Sequence, residues 1–424
     1  MHKPQPDLPE PAHASVDSML ARKFGREVAN YFSGSPLNRL GFLRADHTFL
    51  SKALRHPSTR FLLCRDLQPL IRTSEPDALA YVKYEDVKPI IGEDPYAKTE
   101  QELIDAYDSK TYVPQMIFLG VDEKDANGLE YTGKNTYKGA PYFAVDVSPK
   151  ENVKDACEKL IAKVGEQGLD FAKGRVMDIK AADAAIYAAA RQLLDWNARN
   201  PFCGQCGQPT MSVNGGFKRT CPPKDISYKV SNALPTTIST PANNTERPSC
   251  ATRKGISNLS FPRTDPTVIM GIVNASGTKI LLGRQKRWPP YWYSTLAGFA
   301  EPAESIEEAV RREVYEEAGV HVGRVVIHST QPWPYPANLM IGAVGQATPA
   351  GETIDLGHDP ELDDARWFDF DEVRHALRVG TSGLDESAGQ EYTEGGLRLP
   401  PSTAIANQLI TSVVNGFVSG EAKM

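Results

Sequence analysis

The hydrophobic positions of the N-terminal half form two kinds of pattern, continuous runs and helical spacing. Continuous apolar runs at residues 61–64 and 116–119 predict buried strands. Over 181–197, apolar residues recur at helical spacing and predict a long helix, at Ile186, Ala190, Leu193 and Leu194. Strands and helices mixed in this way are typical of an α+β domain, and the sequence predicts one over 25–198.

The C-terminal half repeats the strand signal after a polar interruption. Residues 267–273 and 279–282 predict paired strands, because Asn, Ser and Gly between the two apolar runs favour a tight turn. Further strands are predicted at 325–327 and 339–341. A terminal helix is indicated by apolar residues spaced by four, Ile405, Leu409, Val413 and Phe417. We therefore predict a second domain over 264–418.

Polar stretches divide the chain further. Residues 1–24 contain repeated prolines and few large apolar side chains, so they predict a disordered leader. The segment 225–249 is dominated by Ser, Thr, Asn and Pro, which predicts a long, mobile surface loop. This loop interrupts a small region, 199–263, that we expect to be a separate domain. Residues 419–424 form a C-terminal tail.

Composition and charge narrow the class of protein. The 424 residues are 41% hydrophobic and 24% charged, which excludes a collagen-like or mostly disordered chain. The formal net charge of −6 argues against nucleic-acid binding through the whole surface. No apolar run reaches the roughly 18 residues of a membrane-spanning helix, so no membrane partner is expected. The N-terminus lacks the basic-then-apolar pattern of a signal peptide.

Four of the six cysteines fall within 48 positions, at Cys203, Cys206, Cys221 and Cys250. Cys203 and Cys206 form a CxxC pair, whose spacing suits two thiolate ligands of one Zn²⁺. No histidine lies between positions 57 and 320, so a tetrahedral site here needs four cysteines, and such a closed site is structural. A redox-active CxxC pair and unrelated buried cysteines are the alternatives. The remaining two, Cys64 and Cys157, are expected in the core.

An acidic segment near residue 310 has helical periodicity. Pro302 suits the start of a helix and Gly319 its end. At about 100° per residue, three carboxylates fall on the same side as Ile306 and Val310; they are Glu313, Glu316 and Glu317. A charged, solvated helix face is the alternative interpretation, but it would place these carboxylates on the opposite side. The spacing therefore predicts an acidic patch beside buried surface.

Clustered carboxylates beside buried surface repel one another and are poorly hydrated, so they need a cation when ionised. Ligands that are all carboxylate oxygens suit Mg²⁺ or Mn²⁺. Such ions neutralise phosphate oxygens of a substrate and help to generate an attacking hydroxide. The acidic patch therefore indicates metal-assisted hydrolysis of a phosphate ester or anhydride.

The same segment resembles the Nudix box, G-x5-E-x7-R-E-U-x-E-E-x-G-U, at every fixed position: Gly298, Glu304, Arg312, Glu313, Val314, Glu316, Glu317, Gly319 and Val320. This resemblance implies a Nudix α/β/α sandwich with a mixed sheet over 264–418. It implies that the three clustered carboxylates bind divalent cations, and that Glu316 or Glu317 activates the attacking water. Arg312 would then orient the carboxylates and pair with Glu304.

Prolines alternate with aromatic residues over 331–338, in the order Gln-Pro-Trp-Pro-Tyr-Pro-Ala-Asn. Alternating prolines fix an extended backbone and hold Trp333 and Tyr335 in place. The run forms either a rigid loop with aromatics in the core or a wall for a flat base. It resembles the SQPWPFPxS array of the NADH pyrophosphatases, which also serve as NAD-capped RNA hydrolases. It departs from that array at Thr330, Tyr335 and Asn338.

Three further features are similar to that zinc-ribbon-containing subfamily, which includes fungal peroxisomal members. The N-terminal domain, the four-cysteine region and the Nudix segment follow one another in the subfamily's order. An aromatic-Pro-Arg run at 261–263 precedes the first Nudix strand, and 359–361 has the place of an extra metal-binding Glu. The split second cysteine pair departs from the CxxC of bacterial members. The resemblance thus implies structural zinc in the 199–263 region.

Individual roles also follow from the resemblance. Metal ligands would be the Ala297 carbonyl with Glu313, Glu316, Glu317 and Glu361. Contacts to substrate would come from Gln331, Pro332, Trp333, Pro334, Tyr335, Pro336, Ala337, Asn338 and Ala406. Phe299 or Phe261 would stack on the nicotinamide ring, and core packing is the alternative for Phe299.

These observations support one hypothesis and two alternatives. The hypothesis is a Mg²⁺- or Mn²⁺-dependent hydrolase that cleaves the pyrophosphate bond of NAD(H) into NMN(H) and AMP. One alternative is removal of the NAD cap from RNA, with Arg253, Lys254 and Arg263 as phosphate contacts or as a merely solvated basic patch. The other is a non-enzymatic zinc-ribbon module with a relict Nudix fold, although a relict would be free to lose its carboxylates.

The resemblance also bears on assembly and location. It implies a homodimer, which no sequence pattern shows. Residues 422–424, Ala-Lys-Met, resemble the S-K-L peroxisomal address. Because a three-residue match arises in many chains by chance, a cytoplasmic location is the alternative.

Overall fold

The computed structural model describes residues 5–11, 27–133, 135–227, 245–254, 258–358 and 361–417. Most of the predicted leader, most of the predicted 225–249 loop and the tail with its tripeptide lie outside the described residues. The chain forms two compact units. The C-terminal unit comprises Met1–Gly34, Lys180–Ala185 and Thr264–Met424, and the central unit comprises Ser35–Ile179 and Ile186–Arg263.

A seven-stranded sheet forms the centre of the central unit. Its strands are β1 (Arg60–Arg65), β2 (Gln68–Arg72), β3 (Tyr81–Val82), β4 (Met116–Asp122), β5 (Leu129–Thr132), β6 (Thr136–Asp146) and β7 (Leu169–Phe171). Their order is β4-β6-β1-β2-β7, with β3 beside β1 and β5 beside β6. The helices are α1 (His47–Arg55), α2 (Tyr84–Ile91), α3 (Glu100–Asp105), α4 (Lys154–Glu166) and α5 (Ala181–Arg199), whose first residues belong to the other unit.

The apolar runs of the sequence become the core of this sheet. Phe61, Phe118 and Phe143 are fully buried, and the rings of Phe61 and Phe143 stack with centroids 5.5 Å apart. Burying a side chain of this size stabilises the fold by about 1.5–3 kcal/mol. Cys157 lies in the same core and Cys64 is also fully buried, so the prediction for these two cysteines is confirmed.

A short hairpin of β8 (Met211–Val213) and β9 (Lys218–Thr220) completes the central unit. Its turn lies directly against β4. At Gly216, with φ of 90°, a Cβ atom would lie 2.4 Å from Ile117 and 2.8 Å from the carbonyl oxygen of Met116. Only glycine permits this backbone conformation and approach.

The C-terminal unit is built on a six-stranded mixed sheet. Its strands are β10 (Asp265–Val273), β11 (Lys279–Gln285), β12 (Leu296–Phe299), β13 (Val322–Trp333), β14 (Asn338–Ala347) and β15 (Leu362–Asp369). The order is β13-β14-β10-β11-β15, with β12 beside β10, and β10 runs parallel to β14. Three helices accompany the sheet, α6 (Ile306–Ala318), α7 (Phe370–Val379) and α8 (Ile405–Ser412).

Alternate residues of β10 face opposite sides of the sheet, as strand geometry requires. Val268, Met270 and Ile272 pack in one core with the apolar residues of α6. Ile269 and Val273 pack in a second core with α7 and α8. The sheet is therefore covered on both faces, and the predicted α/β/α sandwich is confirmed.

The elements predicted from periodicity are present. The predicted strands coincide with β1, β4, β10, β11, β13 and β14. The predicted helices correspond to α5 and to α8, which continues as a wider helical turn over Val413–Phe417. No helix in the described part of the chain combines the length and apolar character needed to cross a membrane.

Helix α6 begins later than the proline predicted. The Ser305 hydroxyl accepts a hydrogen bond from the backbone N–H of Glu308 at 3.2 Å, and the Glu308 carboxylate accepts one from the N–H of Ser305 at 2.7 Å. This capping box satisfies the free N–H groups of the first turn, so it sets the boundary instead of Pro302. At the other end, Gly319 takes the left-handed conformation and ends the helix as predicted.

Residues 27–34 belong to the C-terminal unit, whereas the sequence prediction assigned them to the N-terminal domain. Asn30 explains the assignment. Its Nδ2 donates to Ser329 Oγ at 3.0 Å and to the carbonyl of Thr330 at 2.9 Å, which joins the segment to β13. Hydrogen bonds between positions 300 residues apart leave no periodic signal, so hydrophobic patterning could not reveal them.

Candidate active site and metal centre

Three carboxylates of α6 gather beside the sheet. Val310 and Val314 are fully buried and direct this face of the helix toward β10. Glu317 is only 4% exposed, the side chain of Glu313 is 13% exposed, and that of Glu316 is 47% exposed. The predicted acidic patch therefore borders buried surface, and its members range from enclosed to open.

Strand β12 brings a bare stretch of backbone against Glu313. A Cβ atom at Gly298 would lie 2.0 to 2.3 Å from the carboxyl group of Glu313. The carboxylate therefore rests directly on the glycine, and any side chain would displace it. Ala297, the proposed carbonyl ligand, precedes this glycine in β12 and is half-buried.

Arg312 connects the carboxylates to the loop before α6. Its Nε and Nη2 donate to the two oxygens of Glu304 at 2.6 and 2.9 Å, a bidentate pair. Nη1 donates to Glu313 at 2.8 Å and to Glu316 at 3.1 Å. Nη2 also donates to the backbone carbonyl of Phe299 at 2.9 Å. One guanidinium thus fixes the helix, the loop and β12 relative to one another.

The pKa values of Glu304 and Glu313 shift in opposite directions, because hydrogen bonding lowers the first and burial raises the second. Hydrogen bonds from Arg312 and from the Glu301 backbone lower the pKa of Glu304 to about 2. Burial raises the pKa of Glu313, and the charges of Glu316 and Glu361 add to this rise while Arg312 opposes it. Arg312 therefore does not fully offset the burial of the Glu313 carboxyl group. The oxygen ligands of the patch fit a divalent cation such as Mg²⁺ or Mn²⁺.

Glu361 approaches the patch from the start of β15. Its Oε1 accepts a hydrogen bond from Gln285 Nε2 at 2.7 Å, and Gln285 Oε1 accepts one from Arg287 Nε at 2.9 Å. Sequence reasoning missed Gln285 and Arg287. They follow directly on the apolar run of β11, so a search for polar residues at strand ends near the Nudix segment would have found them.

The proline-aromatic array forms a rigid wall at the end of β13. The rings of Trp333 and Tyr335 meet edge to face, with centroids 5.5 Å apart. Phe32, from the N-terminal segment, packs edge-on against both rings at 6.2 and 6.1 Å. Phe32 is 2% exposed, whereas Trp333 and Tyr335 remain half-buried. The rings pack against one another, as expected of a rigid loop. They also keep exposed surface, as expected of a wall for a flat base.

Gln331 lies near the end of β13. Its side chain is fully buried, and Nε2 donates to the carbonyls of Tyr31 at 3.0 Å and Thr403 at 2.8 Å. Its Oε1 accepts the N–H of Ile405 at 2.9 Å, the first residue of α8. These hydrogen bonds of the amide all lie within the protein and hold the start of α8 in place, and the contact of Gln331 to substrate stays a prediction.

The other predicted substrate residues differ in exposure. Ala406, the second residue of α8, is 4% exposed and packs in the core, and its contact to substrate stays a prediction. Pro334, Ala337 and Asn338 are buried, Pro332 is half-buried and Pro336 is exposed. Asn338 Nδ2 donates to Thr267 Oγ1 at 3.1 Å.

The two candidate stacking residues belong to different units. Phe299 is 57% exposed at the end of β12, which excludes core packing as its role. Phe261 lies in the central unit and is 39% exposed, with Lys218 Nζ 5.7 Å from the ring centroid. Both rings are accessible to a flat partner.

The four clustered cysteines converge in the central unit. Their sulfur atoms all lie within 4.8 Å of one another, with Cys203 to Cys250 at 3.7 Å and Cys206 to Cys221 at 3.6 Å. A tetrahedral Zn²⁺ with bonds of about 2.3 Å separates its sulfurs by about 3.8 Å. Burial raises the pKa of the Cys206 thiol, and hydrogen bonds with neighbouring thiols add to the rise. Four thiolates this close repel one another, and a bound cation would offset their charge. The set fits structural zinc.

Arg253 supports this cluster. It donates to the Cys221 carbonyl at 2.9 Å, to the Cys221 sulfur at 3.5 Å and to the carbonyls of Pro222 and Pro248. These bonds hold the guanidinium against the cysteine cluster. The role of Arg253 as a phosphate contact or as part of a solvated basic patch stays a prediction.

Comparison with family models agrees with this architecture. Residues 263–384 match the NUDIX domain, and residues 198–225 match the NADH pyrophosphatase zinc ribbon domain. Residues 58–196 match the NADH pyrophosphatase-like rudimentary NUDIX domain. Sequence reasoning foresaw only an α+β domain there, because this region has no Nudix box. The fold and the carboxylate helix of the C-terminal unit are thus those of a Nudix domain.

Several full-length relatives match nearly the whole chain. An NAD-capped RNA hydrolase of Schizosaccharomyces pombe is 32% identical over 413 residues, covering 96% of this chain and 99% of the relative. The Saccharomyces cerevisiae NAD-capped RNA hydrolase NPY1 is 33% identical, covering 92% and 96%. The human NAD-capped RNA hydrolase NUDT12 is 34% identical, covering 91% and 73%. The chain belongs to the Nudix hydrolases, in the group with an NADH pyrophosphatase-type zinc ribbon.

Proposed function

We propose that this protein hydrolyses the pyrophosphate bond of NAD(H), giving NMN(H) and AMP. The observation that carries the proposal is the seating of the Glu313 carboxylate on Gly298, beside the enclosed Glu317. This arrangement concentrates negative charge where a diphosphate bridged by divalent cations fits. Human and mouse relatives named NAD(P)H pyrophosphatase NUDT13 share 32% and 33% identity over the regions that match.

The metal site would consist of the Ala297 carbonyl with Glu313, Glu316, Glu317 and Glu361. Mg²⁺ or Mn²⁺ bound there supplies Lewis-acid activation of the diphosphate. Glu316, which is open to solvent, or Glu317 orients the attacking water and accepts its proton. Arg312 and Glu304 keep these carboxylates in place. Trp333, Tyr335 and Phe299 offer aromatic surface to the bases.

Removal of the NAD cap from RNA is the second candidate function. The names of the Schizosaccharomyces pombe, Saccharomyces cerevisiae and human relatives favour it. Its chemistry is identical, because the bond that breaks is the same pyrophosphate. The two functions therefore differ only in what extends from the adenosine.

A substrate panel tests both functions. Purified full-length protein is incubated with Mg²⁺ or Mn²⁺ and one substrate: NADH, NAD⁺, ADP-ribose, diadenosine polyphosphates or NAD-capped RNA. The measured product is AMP or, for capped RNA, RNA with a 5′-monophosphate. We expect cation-dependent cleavage of NADH or of the cap. Folded protein that cleaves neither would instead support the alternative of a non-enzymatic module.

Assembly and location are further proposals. A homodimer is expected from the resemblance and is tested by light scattering of the purified chain. Peroxisomal import through Ala422-Lys423-Met424 is tested by imaging a fluorescent fusion with and without these residues. If both fusions remain in the cytoplasm, the tripeptide is not an address.

A further inference from the structure

A short segment between β11 and β12 borders the acidic patch. It comprises Lys286, Arg287, Trp288, Pro289, Pro290 and Tyr291, and we call it the 286–291 loop. It begins directly after Gln285, whose side chain donates to Glu361 and accepts from Arg287. Arg287 of the loop is therefore connected through Gln285 to Glu361, a carboxylate of the proposed metal site.

The loop presents positive charge to solvent. Lys286 and Arg287 are exposed. Among the residues the structure describes, Lys286 forms no hydrogen bond or ion pair. The neighbouring Arg284 is different, because Asp363 already pairs with it. Two adjacent cations thus remain available on a molecule whose overall charge is −6.

The loop also presents an aromatic ring on a fixed backbone. The carbonyl of Tyr291 accepts the N–H of Arg398 at 2.8 Å, and the next residue, Trp292, is 5% exposed and donates its indole N–H to the Ser382 carbonyl at 3.1 Å. Tyr291 has φ of 64°, which a bulky side chain rarely adopts. Tyr291 is nevertheless 50% exposed, so part of its surface faces solvent.

We propose that the 286–291 loop binds the first nucleotides of RNA that follow an NAD cap, with Lys286 and Arg287 on phosphates and Tyr291 stacked on a base. The inference rests on the proposed function in its capped-RNA form. An RNA chain continues from the ribose of the cap's adenosine, so it must leave the site over a neighbouring surface. Cations beside an exposed aromatic ring are the combination that binds single-stranded nucleic acid.

Two single substitutions in the full-length chain test the loop. Lys286→Gln removes one charge, and Tyr291→Asn removes the ring while tolerating the left-handed backbone. kcat/KM is measured on NADH and on a short NAD-capped RNA.

We expect Tyr291→Asn to lower kcat/KM on the RNA roughly tenfold, as loss of one stacked base does. Lys286→Gln should reduce the log–log salt dependence of RNA turnover by about 0.7. Both variants should keep NADH turnover within about twofold of wild type.

Arg324→Gln is the matched control for charge. Arg324 is exposed on β13, at the opposite edge of the sheet from β11, and the substitution removes the same single charge. It should leave the salt dependence unchanged. Equal losses on NADH and RNA, or unchanged RNA turnover, would overturn the proposal. Wild-type protein that cleaves NADH but not capped RNA would overturn it as well, whereas protein that cleaves neither removes the proposed function itself.

Discussion

At the scale of single residues, Glu317 combines negative charge with near-complete enclosure. It is 4% exposed on a helix face whose other members are valines and carboxylates. Glu317→Gln keeps the shape but removes the charge that would hold a divalent cation. We expect kcat for NADH to fall by at least about 10²-fold, the size of effect seen when one group that stabilises a transition state is lost.

The measurement is AMP release at saturating Mg²⁺, with thermal unfolding as a check of the fold. Glu307→Gln makes the same chemical change in the first turn of α6, away from the patch, and should retain activity. Comparable activity in both variants would exclude Glu317 from the cation site.

Gln331 gives the second prediction at this scale. Gln331→Leu would leave the N–H of Ile405 and the carbonyls of Tyr31 and Thr403 without their partner. An unsatisfied buried polar group costs about 1–3 kcal/mol, so we expect a clear loss of stability in urea unfolding. KM for NADH should also rise, because Gln331 directly precedes the aromatic wall.

Gln346→Leu is the comparison for this change. Gln346 lies on β14, and its amide donates to the loop carbonyls of Asn274 and Ala275. It should lose some stability without affecting KM. If the KM of the Gln331→Leu variant for NADH equals that of wild type, the buried amide of Gln331 does not contribute to substrate binding.

At the scale of elements, the contact between β12 and α6 determines the position of a carboxylate. Gly298→Ala would place a methyl group about 2.0 Å from the Glu313 carboxyl carbon. Because neither the strand nor the buried helix face can retreat, Glu313 must move. We expect activity to fall at least tenfold, and the KM for Mg²⁺ to rise, in steady-state assays.

The control for this glycine lies in α4. Gly165 is helical and a Cβ there would meet nothing within 4 Å. Gly165→Ala should be neutral or stabilise by about 0.5–1 kcal/mol. Full activity of Gly298→Ala would show that Glu313 need not rest on the strand.

Asp225 and Arg247 form a buried ion pair near the cysteine cluster, with side chains 2% and 0% exposed. Asp225→Asn would leave a buried guanidinium without a counter-charge, which costs about 3–5 kcal/mol. Burial alone would raise the pKa of Asp225, but hydrogen bonds from Ser109 and Arg247 outweigh it and lower the pKa. Because the folded pKa lies below the unfolded value of about 3.9, this stabilisation is present above that pH and lost as pH falls further.

Urea unfolding of wild type and Asp225→Asn between neutral and strongly acidic pH measures the effect. The difference in unfolding free energy should shrink at the acid end. Asp66→Asn is the control, because its side chain is 78% exposed beside Arg65 and should contribute at most about 1 kcal/mol. A difference that does not vary with pH would contradict the argument.

At the scale of the whole molecule, zinc bound to the four cysteines should stabilise the sheet of the central unit as well as the ribbon. The hairpin turn at Gly216 lies against β4, so losing the metal disturbs the sheet of the central unit. We expect one zinc per chain by elemental analysis. Chelation should lower the Tm of this unit by roughly 6–12 °C if about 3 kcal/mol is lost. Cys206→Ser should lose the zinc, whereas Cys157→Ser, in the separate core, should retain it.

The sequence could predict what is local and periodic. The carboxylate helix and the cysteine cluster follow from spacing over fewer than 50 positions, whereas the sandwich is implied by the resemblance to the Nudix box. It could not predict that Gln331 turns inward or that Asn30 belongs with β13, because those bonds join residues far apart in sequence. It also placed the start of α6 too early, since the capping box outweighed the proline.

The hydrogen bonds of Asn30 to β13 also have a consequence for synthesis of the chain. The segment around Asn30 leaves the ribosome before its partners, which follow 300 residues later. At about 5–20 residues per second, this early segment waits roughly 15–60 s before its binding surface exists. Deletion of residues 27–34 from the full chain would remove the contact of Phe32 with the aromatic wall, and adding these residues as a separate peptide should restore it.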